Sequence, residues 1–166
     1  MATQDSVARE LYQSFNRREY DRAADLVADG LEWVNVPFGK SFRGRAGAKE
    51  FLAGWAAAMP DGQVELTNLV TGGDYVFTEF FFRGTHTGTL ETPGGSIRPT
   101  GKKVEVPVCD CIHFQGGKID SIRCYFDAAT MMRQLGLLTG AWAAIQGAAF
   151  QPSSVPPNVS SAPDRA

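Results

Sequence analysis

The spacing of apolar residues changes from a helical to a strand period near residue 63, and this change constrains the fold more than any other feature. In the first helical segment apolar side chains recur every four positions, as in Val7, Leu11 and Phe15, which is typical of a helix that buries one face. From Gln63 onward, apolar residues alternate with polar ones, which is typical of strands. Helices followed by a run of strands joined by short turns predict an α+β domain.

The individual elements can be assigned from this periodicity and from the turn residues. We expect an early helix capped by Thr3 or Asp5, a second helix over 20–27, a third that begins near Gly44, and a last one capped by Asp127. Strands are predicted at 31–36, 63–70, 75–87, 102–114 and 118–126. A long curved antiparallel sheet wrapped over about three helices would form a cone with an apolar interior, and such an interior suits a small molecule.

Composition excludes several classes of function. The chain has 166 residues, of which 43% are hydrophobic, and a net charge of −2, so it can form one core but offers no strongly basic surface for nucleic acid. It contains no apolar run long enough to span a membrane, and its first residues do not form a signal peptide. Its three cysteines are an odd number, which favours reduced thiols, and we therefore expect a cytoplasmic protein.

The chain is predicted to divide into one domain and a tail. Residues 1–150 carry the periodic segments and are expected to form a single α+β domain. Residues 151–166 are rich in proline and serine and poor in large apolar side chains, which predicts a disordered tail.

Asp110 is the strongest candidate for a catalytic residue. It lies between two cysteines in the strand around 108–112, and because successive side chains alternate in direction, it shares a face with Val108 and Ile112. Burying an anion in an apolar row is costly, so the pKa of this carboxyl should rise toward neutrality, where a carboxyl serves as a general acid or base. The alternative is an aspartate that faces outward or is satisfied by a local partner.

Two registers of the hairpin would give Asp110 different neighbours. If Gly116–Gly117 is a two-residue loop, Asp110 lies opposite Arg123, which favours a structural ion pair. If the loop has three residues and a glycine bulge, Asp110 lies opposite Ile122, with Cys124 two residues along the same face. We prefer the second register because it gathers the apolar side chains of both strands on one face.

Polar residues in three other strands are further candidates. Trp33 and Asn35 share a strand face, and Asn35 would either donate to a carbonyl or enolate oxygen or cap the end of its strand. Glu79 lies in a phenylalanine-rich strand; facing inward it would be a second carboxylate beside Asp110 and would divide the acid and base roles, and facing outward it would be a solvated charge. His86 would act in the site or simply mark a strand end.

A metal site is not expected from the thiols. Cys109, Cys111 and His113 lie on one strand face at a spacing of two, whereas zinc ligands normally come from separated pairs. Cys124 is not expected to be a nucleophile, because no histidine is visibly placed to activate it.

Several turn motifs carry a family resemblance. They are GTHTG at 84–88, RPTGKK at 98–103 and FQGGKI at 114–119, followed by Asp127 and RQLG at 133–136. Across residues 3–138 this pattern resembles the SnoaL-like polyketide cyclases, which belong to the nuclear transport factor 2-like superfamily together with ketosteroid isomerase. The resemblance implies the cone-shaped fold, a homodimer formed through the sheet, and acid–base residues that line the cone without a metal or organic cofactor.

The resemblance also marks a departure from the family pattern. The catalytic aspartate of these cyclases matches position 124, where this chain has Cys124, and a histidine of their pocket matches Asp110. Either Asp110 has taken over the acid–base task or the cyclase chemistry is absent.

The expected function is cofactor-free acid–base catalysis of the cyclase or isomerase type on an apolar carbonyl compound such as a polyketide. Asp110, Glu79 and His86 are the predicted catalytic residues, and the predicted substrate-binding residues are Asn35, Trp33, Cys124, Val108, Ile112 and Ile122. A non-catalytic ligand-binding or dimerisation module is the alternative, and it would pair Asp110 with Arg123 or fill the cone with side chains. An epoxide hydrolase is a second alternative, disfavoured because Val108 stands where the resemblance expects an arginine.

Overall fold

The structure is a computed structural model that describes residues 2–138. The predicted tail and residues 139–150 lie outside the described part. Within that part the elements are α1 Gln4–Arg17, α2 Tyr20–Asp25, β1 Val27–Asn35, β2 Lys40–Arg43, α3 Gly44–Ala58, β3 Gln63–Gly72, β4 Tyr75–Thr85, β5 Leu90–Thr92, β6 Gly95–Ile97, β7 Lys103–Gln115, β8 Lys118–Phe126 and α4 Ala128–Gln134. A six-stranded sheet has the order β2-β1-β8-β7-β4-β3, and β5 and β6 form a separate hairpin.

The predicted fold class is confirmed, with one correction to the sheet. The structure is a mixed α+β domain whose curved sheet is mostly antiparallel. The pair between β1 and β8 is parallel, because the chain crosses over from the first strand to the last and returns in the same direction. Strand β2 and the β5–β6 hairpin were not predicted, since three- and four-residue strands carry little periodic signal.

Capping residues set the ends of the helices. Thr3 rather than Asp5 caps α1, since its side chain accepts a hydrogen bond from the Ser6 backbone N–H at 3.2 Å. The Oδ1 atom of Asp127 accepts from the Thr130 N–H at 2.9 Å, which confirms the predicted cap of α4. The second helix is shorter than predicted, because the chain enters β1 at Val27.

A single extra residue sets the register between β7 and β8. The turn is a two-residue loop at Gly116–Gly117, both with positive φ, and Phe114 lies opposite Ile119. Asp120 is then left without a cross-strand partner, and His113 lies opposite Ser121. The Asp120 carboxylate holds this bulge from outside, with its Oδ1 atom 2.6 Å from His113 Nδ1.

Because of the bulge, Asp110 lies opposite Cys124. Neither predicted register is therefore correct: the loop has the length of the first, and the bulge moves the partner beyond both Arg123 and Ile122. The predicted face is confirmed, because Asp110 is buried with Cys124 on the inner side while Arg123 is exposed on the outer side.

The outer face of the sheet exposes aromatic side chains. Tyr75, Phe77 and Tyr125 form what we call the outer aromatic patch, and each is more than two-fifths exposed.

None of the helices within residues 2–138 is long and apolar enough to cross a membrane.

Candidate active site

Four polar side chains form a row across the inner face of the sheet. Asn35 on β1 pairs with Cys124 on β8, and Cys124 pairs with Asp110 on β7. Thr78 on β4 lies opposite Asp110 and completes the row. All four are buried, and the rows on either side are apolar: Trp33, Ile122, Ile112 and Val76 on one side, Phe126, Val108 and Phe80 on the other. The cone thus carries one polar stripe.

Tyr12 reaches this row from α1. Its hydroxyl donates to Asp110 Oδ2 at 2.9 Å and lies 2.6 Å from Thr78 Oγ1. Because a tyrosine hydroxyl has one hydrogen, Thr78 donates to Tyr12 when Tyr12 donates to the carboxylate. When Asp110 is protonated, both bonds can reverse direction, with the acid donating to Tyr12 and Tyr12 to Thr78. The two hydroxyls therefore suit both protonation states of the acid.

The electrostatics of the site raise the pKa of Asp110 toward neutrality. Its side chain is almost completely buried, and burial raises its pKa to about 6, although the Tyr12 hydroxyl and the Cys124 thiol partly offset this effect. Burial, and then the charge of Asp110, raises the pKa of Tyr12 and of Cys124 well above their ordinary values. Of Asp110, Tyr12 and Cys124, Asp110 is therefore the residue that gains or loses a proton near neutral pH.

An apolar cavity of about 60 Å³ lies between the inner face of the sheet and the helices. Aromatic side chains form much of its wall, among them Phe15, Trp33, Phe51, Trp55, Phe80 and Phe82. Asp110 is the only side chain of the Asp, Glu, Lys, Arg or His type among the described residues that line it. The cavity therefore suits an apolar molecule that meets one ionisable group.

Of the predicted substrate-binding residues, Trp33, Val108 and Cys124 line the cavity. Ile112 and Ile122 are not among its lining residues and have no exposed surface, so they belong to the core. Their predicted binding role therefore has no geometric support, because both side chains are fully buried in the core.

Two buried polar atoms of lining residues have no hydrogen-bond partner within residues 2–138. They are Oδ1 of Asp110 and the indole Nε1 of Trp33. An unsatisfied buried polar group costs about 1–3 kcal/mol, so such groups call for an explanation. Asp110 Oδ1 can accept a hydrogen bond or carry the acid proton, and Trp33 Nε1–H can donate one. The described residues of the fold supply a partner for neither atom.

Asn35 serves the end of its strand. Its side chain is buried, and its Oδ1 atom accepts a hydrogen bond from the Phe38 backbone N–H at 3.4 Å. It is not among the residues that line the cavity. This geometry favours the strand-end interpretation over the predicted oxygen-binding role.

Glu79 takes the outward of its two predicted orientations, so its predicted catalytic role beside Asp110 has no geometric support. Glu79 is exposed on the outer face, opposite Cys109, and lies 3.4 Å from the amide of Asn68. It shares β4 with inward Thr78 and Phe80, so strict alternation turns it outward.

His86 is buried but stands apart from the cavity. Its Nδ1 atom accepts from the Thr100 backbone N–H at 3.3 Å and lies 3.1 Å from the Thr100 hydroxyl. Burial lowers its pKa, which favours the neutral ring. The structure does not bring His86 to Asp110, and its predicted catalytic role therefore has no geometric support.

The thiols are free and hold no metal cluster. Cys109 and Cys111 are partly exposed and Cys124 is buried. In the part of the chain that is described, there is no group of three or more His, Cys, Asp or Glu side chains placed to ligate a metal ion.

Tyr12 and Thr78 are site residues that sequence reasoning missed. Tyr12 lies on the buried apolar face of α1, but a buried tyrosine hydroxyl needs a hydrogen-bond partner. Thr78 was detectable, since it alternates with buried Val76 and Phe80 and is the polar member of that inward set.

Comparison with known proteins agrees with this fold. No protein with a curated description matches the chain. IdmH from Streptomyces antibioticus, a candidate polyketide cyclase, is 26% identical, with a TM-score of 0.67 over 81% of this chain and 99% of that one. A protein with a ketosteroid isomerase-like fold from Catenulispora acidiphila, solved with trimethylamine, is 20% identical, with a TM-score of 0.69 over 82% and 96%. TsrD from Streptomyces laurentii is 20% identical, with a TM-score of 0.69 over 83% and 100%.

The family assignment rests on the match to a family model. The model of the SnoaL-like polyketide cyclases matches residues 6–135, which include most of α1, the whole six-stranded sheet, and all of α4. Every residue of the polar row and Tyr12 lies inside this range. The chain therefore belongs to the SnoaL-like polyketide cyclase family.

Proposed function

We propose that this chain is a cofactor-free acid–base enzyme of the cyclase or isomerase type, acting on an apolar carbonyl compound such as a polyketide. Asp110 moves the proton. One observation carries the proposal: a single carboxyl group, 1% exposed, has a pKa raised to about 6 and one oxygen without a protein partner beside an apolar cavity. A carboxyl in that condition exchanges protons readily near neutral pH.

The proposed reaction begins with proton transfer from carbon. The Asp110 carboxylate takes a hydrogen from the carbon next to the carbonyl, and the electron pair of that C–H bond moves to the carbonyl oxygen as an enolate. The enolate carbon then attacks a second carbonyl carbon of the same molecule, which forms a C–C bond and an alkoxide. Protonated Asp110 returns its proton to the alkoxide. The product is an isomer of the substrate, and no oxidant or reductant is consumed.

The roles of the neighbouring residues follow from their contacts. Tyr12, whose hydroxyl is also hydrogen-bonded to Thr78, holds Asp110 Oδ2 in both protonation states, which leaves Oδ1 for the substrate. The aromatic wall excludes water, which strengthens hydrogen bonds to a developing charge.

Hydrogen exchange tests the first step without knowledge of the natural substrate. The probe is 1-tetralone in D₂O, whose α-hydrogens are followed by proton NMR. We expect the protein to accelerate exchange, with a rate that rises with pH through about 6 as Asp110 ionises and then levels off. Asp110→Asn should lower the catalysed rate by at least about 100-fold. Glu79→Gln, on the outer face, should leave it unchanged.

The same experiment addresses the alternatives. Exchange at the wild-type rate in Asp110→Asn would contradict the proposal, and binding of 1-tetralone without exchange would favour a non-catalytic binding module. The epoxide hydrolase alternative has little support, since the described residues that line the cavity include no arginine and only one carboxyl group.

A further inference from the structure

We infer that Trp33, rather than Asn35 or His86, receives the carbonyl oxygen of the substrate, through a hydrogen bond from its indole Nε1–H. This inference deepens the proposed function and rests on it, because it names the group that would stabilise the enolate formed when Asp110 takes a proton.

The first support is an unused donor at the cavity wall. Trp33 lines the cavity and is 2% exposed, yet no acceptor for its Nε1–H is found within the described residues. Its ring stacks on Phe51 of α3 with 4.4 Å between ring centroids, which fixes the orientation of the indole. A buried donor that the fold does not satisfy, held rigidly beside an apolar cavity, is suited to a ligand acceptor.

The second support is the position of Trp33 relative to Asp110. The two residues lie in adjacent rows of the inner face, on β1 and β7, with β8 between them. Neighbouring strands are about 4.8 Å apart, so the two backbones are separated by roughly 10 Å. A small carbonyl compound between them would place its oxygen at Trp33 and its α-carbon at Asp110 Oδ1. As the proton leaves that carbon, charge grows on the oxygen and the indole hydrogen bond strengthens.

The other polar side chains considered for this role are either engaged or outside the cavity lining. Tyr12 donates to Asp110, and the Asn35 side chain lies outside the lining with its oxygen held by Phe38. His86 is also outside the lining. Trp33 is therefore the donor that remains.

The test uses pairs of ligands that differ only at the acceptor. Cyclohexanone and 1-tetralone are each compared with the methylene isostere, in which C=CH₂ replaces C=O. The indole N–H resonances of the three tryptophans are followed by ¹⁵N–¹H NMR, and Trp33 is identified by the signal that Trp33→Phe removes. We expect the Trp33 N–H resonance to move downfield with the ketones and not with the isosteres. Trp33→Phe should weaken ketone binding about tenfold and leave isostere binding unchanged.

Trp55→Phe is the matched control, because Trp55 lines the same cavity but is only partly buried. It should not separate the ketones from their isosteres. An equal shift of the Trp33 resonance with both ligands, an equal loss of affinity for both in Trp33→Phe, or failure of both ketones to bind would overturn the inference. The shift is measured on the wild-type protein, so the test stands even if the variant does not fold.

Failure of this inference is distinguishable from failure of the proposed function. If the ketone shifts the Trp33 resonance but Asp110→Asn exchanges hydrogen as fast as the wild type, the binding role stands and the catalytic one falls. If Asp110→Asn abolishes exchange while Trp33→Phe binds and exchanges normally, the catalytic role stands and the inference about Trp33 is wrong.

Discussion

Replacing Asp110 with asparagine should stabilise the folded protein at alkaline pH and remove a pH dependence that the wild type has. Asparagine has nearly the same shape, and its side-chain oxygen can still accept from the Tyr12 hydroxyl at the Oδ2 position. What the substitution removes is a carboxyl that must ionise inside an apolar cavity. The same change should abolish proton transfer, so a gain in stability and a loss of activity are expected together.

The size of the effect follows from the two pKa values of Asp110. Burial raises the pKa in the folded protein to about 6, against an ordinary value of 3.8. Below the ordinary value both states keep the proton and the wild type is most stable. As pH rises from there through about 6, the unfolded chain releases the proton more readily, so the wild type loses about 3 kcal/mol of stability. Asparagine has no proton to lose and should not show this loss.

Denaturant unfolding between about pH 4 and pH 8 measures this difference. The free energy of unfolding of Asp110→Asn minus that of the wild type should grow by about 2.5 kcal/mol across the range, with most of the change below about pH 6.5. Taking the difference removes other titrating groups that the two proteins share. Glu79→Gln, which removes an exposed carboxylate from the outer face of the same sheet, is the control. A flat difference for Asp110→Asn would refute the reasoning, because the buried carboxyl would then ionise as easily as an exposed one.

Three further predictions concern the same sheet. Tyr12→Phe removes a hydrogen bond that favours the carboxylate, so the pKa of Asp110 should rise further above about 6. A ¹³C NMR titration of the carboxyl measures this pKa, and a lower value would contradict the assigned geometry. Cys124→Asp places a second buried carboxyl opposite Asp110, so thermal stability should fall more at pH 8 than at pH 4, whereas an equal fall at both would argue against charge repulsion. We propose that two copies of the chain form a homodimer through the outer aromatic patch. Phe77→Glu should then convert a dimer into a monomer in analytical ultracentrifugation, and a wild-type monomer would contradict the proposal.

Much of the fold could be predicted because it depends on local pattern. The period of apolar residues located α1, β7 and β8, and Thr3 and Asp127 marked helix starts through their own side chains. The parallel pairing of β1 with β8 could not be predicted in this way, because it joins segments almost a hundred residues apart and depends on how the sheet closes. The tail prediction lies outside the described residues.

The site was only partly predictable because it is defined by register. Asp110 stood out as a carboxyl in an apolar row, and alternation alone gave its face. That Thr78 and Cys124 are its neighbours depends on the register of β7 with β4 and with β8. A single bulge shifts the register with β8. One signal was present: Ile119 and Ile122 are both apolar at a spacing of three, which strict alternation does not allow. The link to Tyr12 spans 98 residues and follows from tertiary packing.

The extra residue at Asp120 also affects how this chain should be aligned with its relatives. The register of β8 against β7 differs by one residue before and after the bulge. A relative that lacks the bulge can therefore be aligned correctly only with a one-residue gap at this point. An alignment without that gap would equate an outward side chain with Cys124 and an inward one with Arg123. Comparisons of catalytic positions across such chains are therefore best anchored on the strand partners of Asp110 rather than on distance along the chain from the glycine turn.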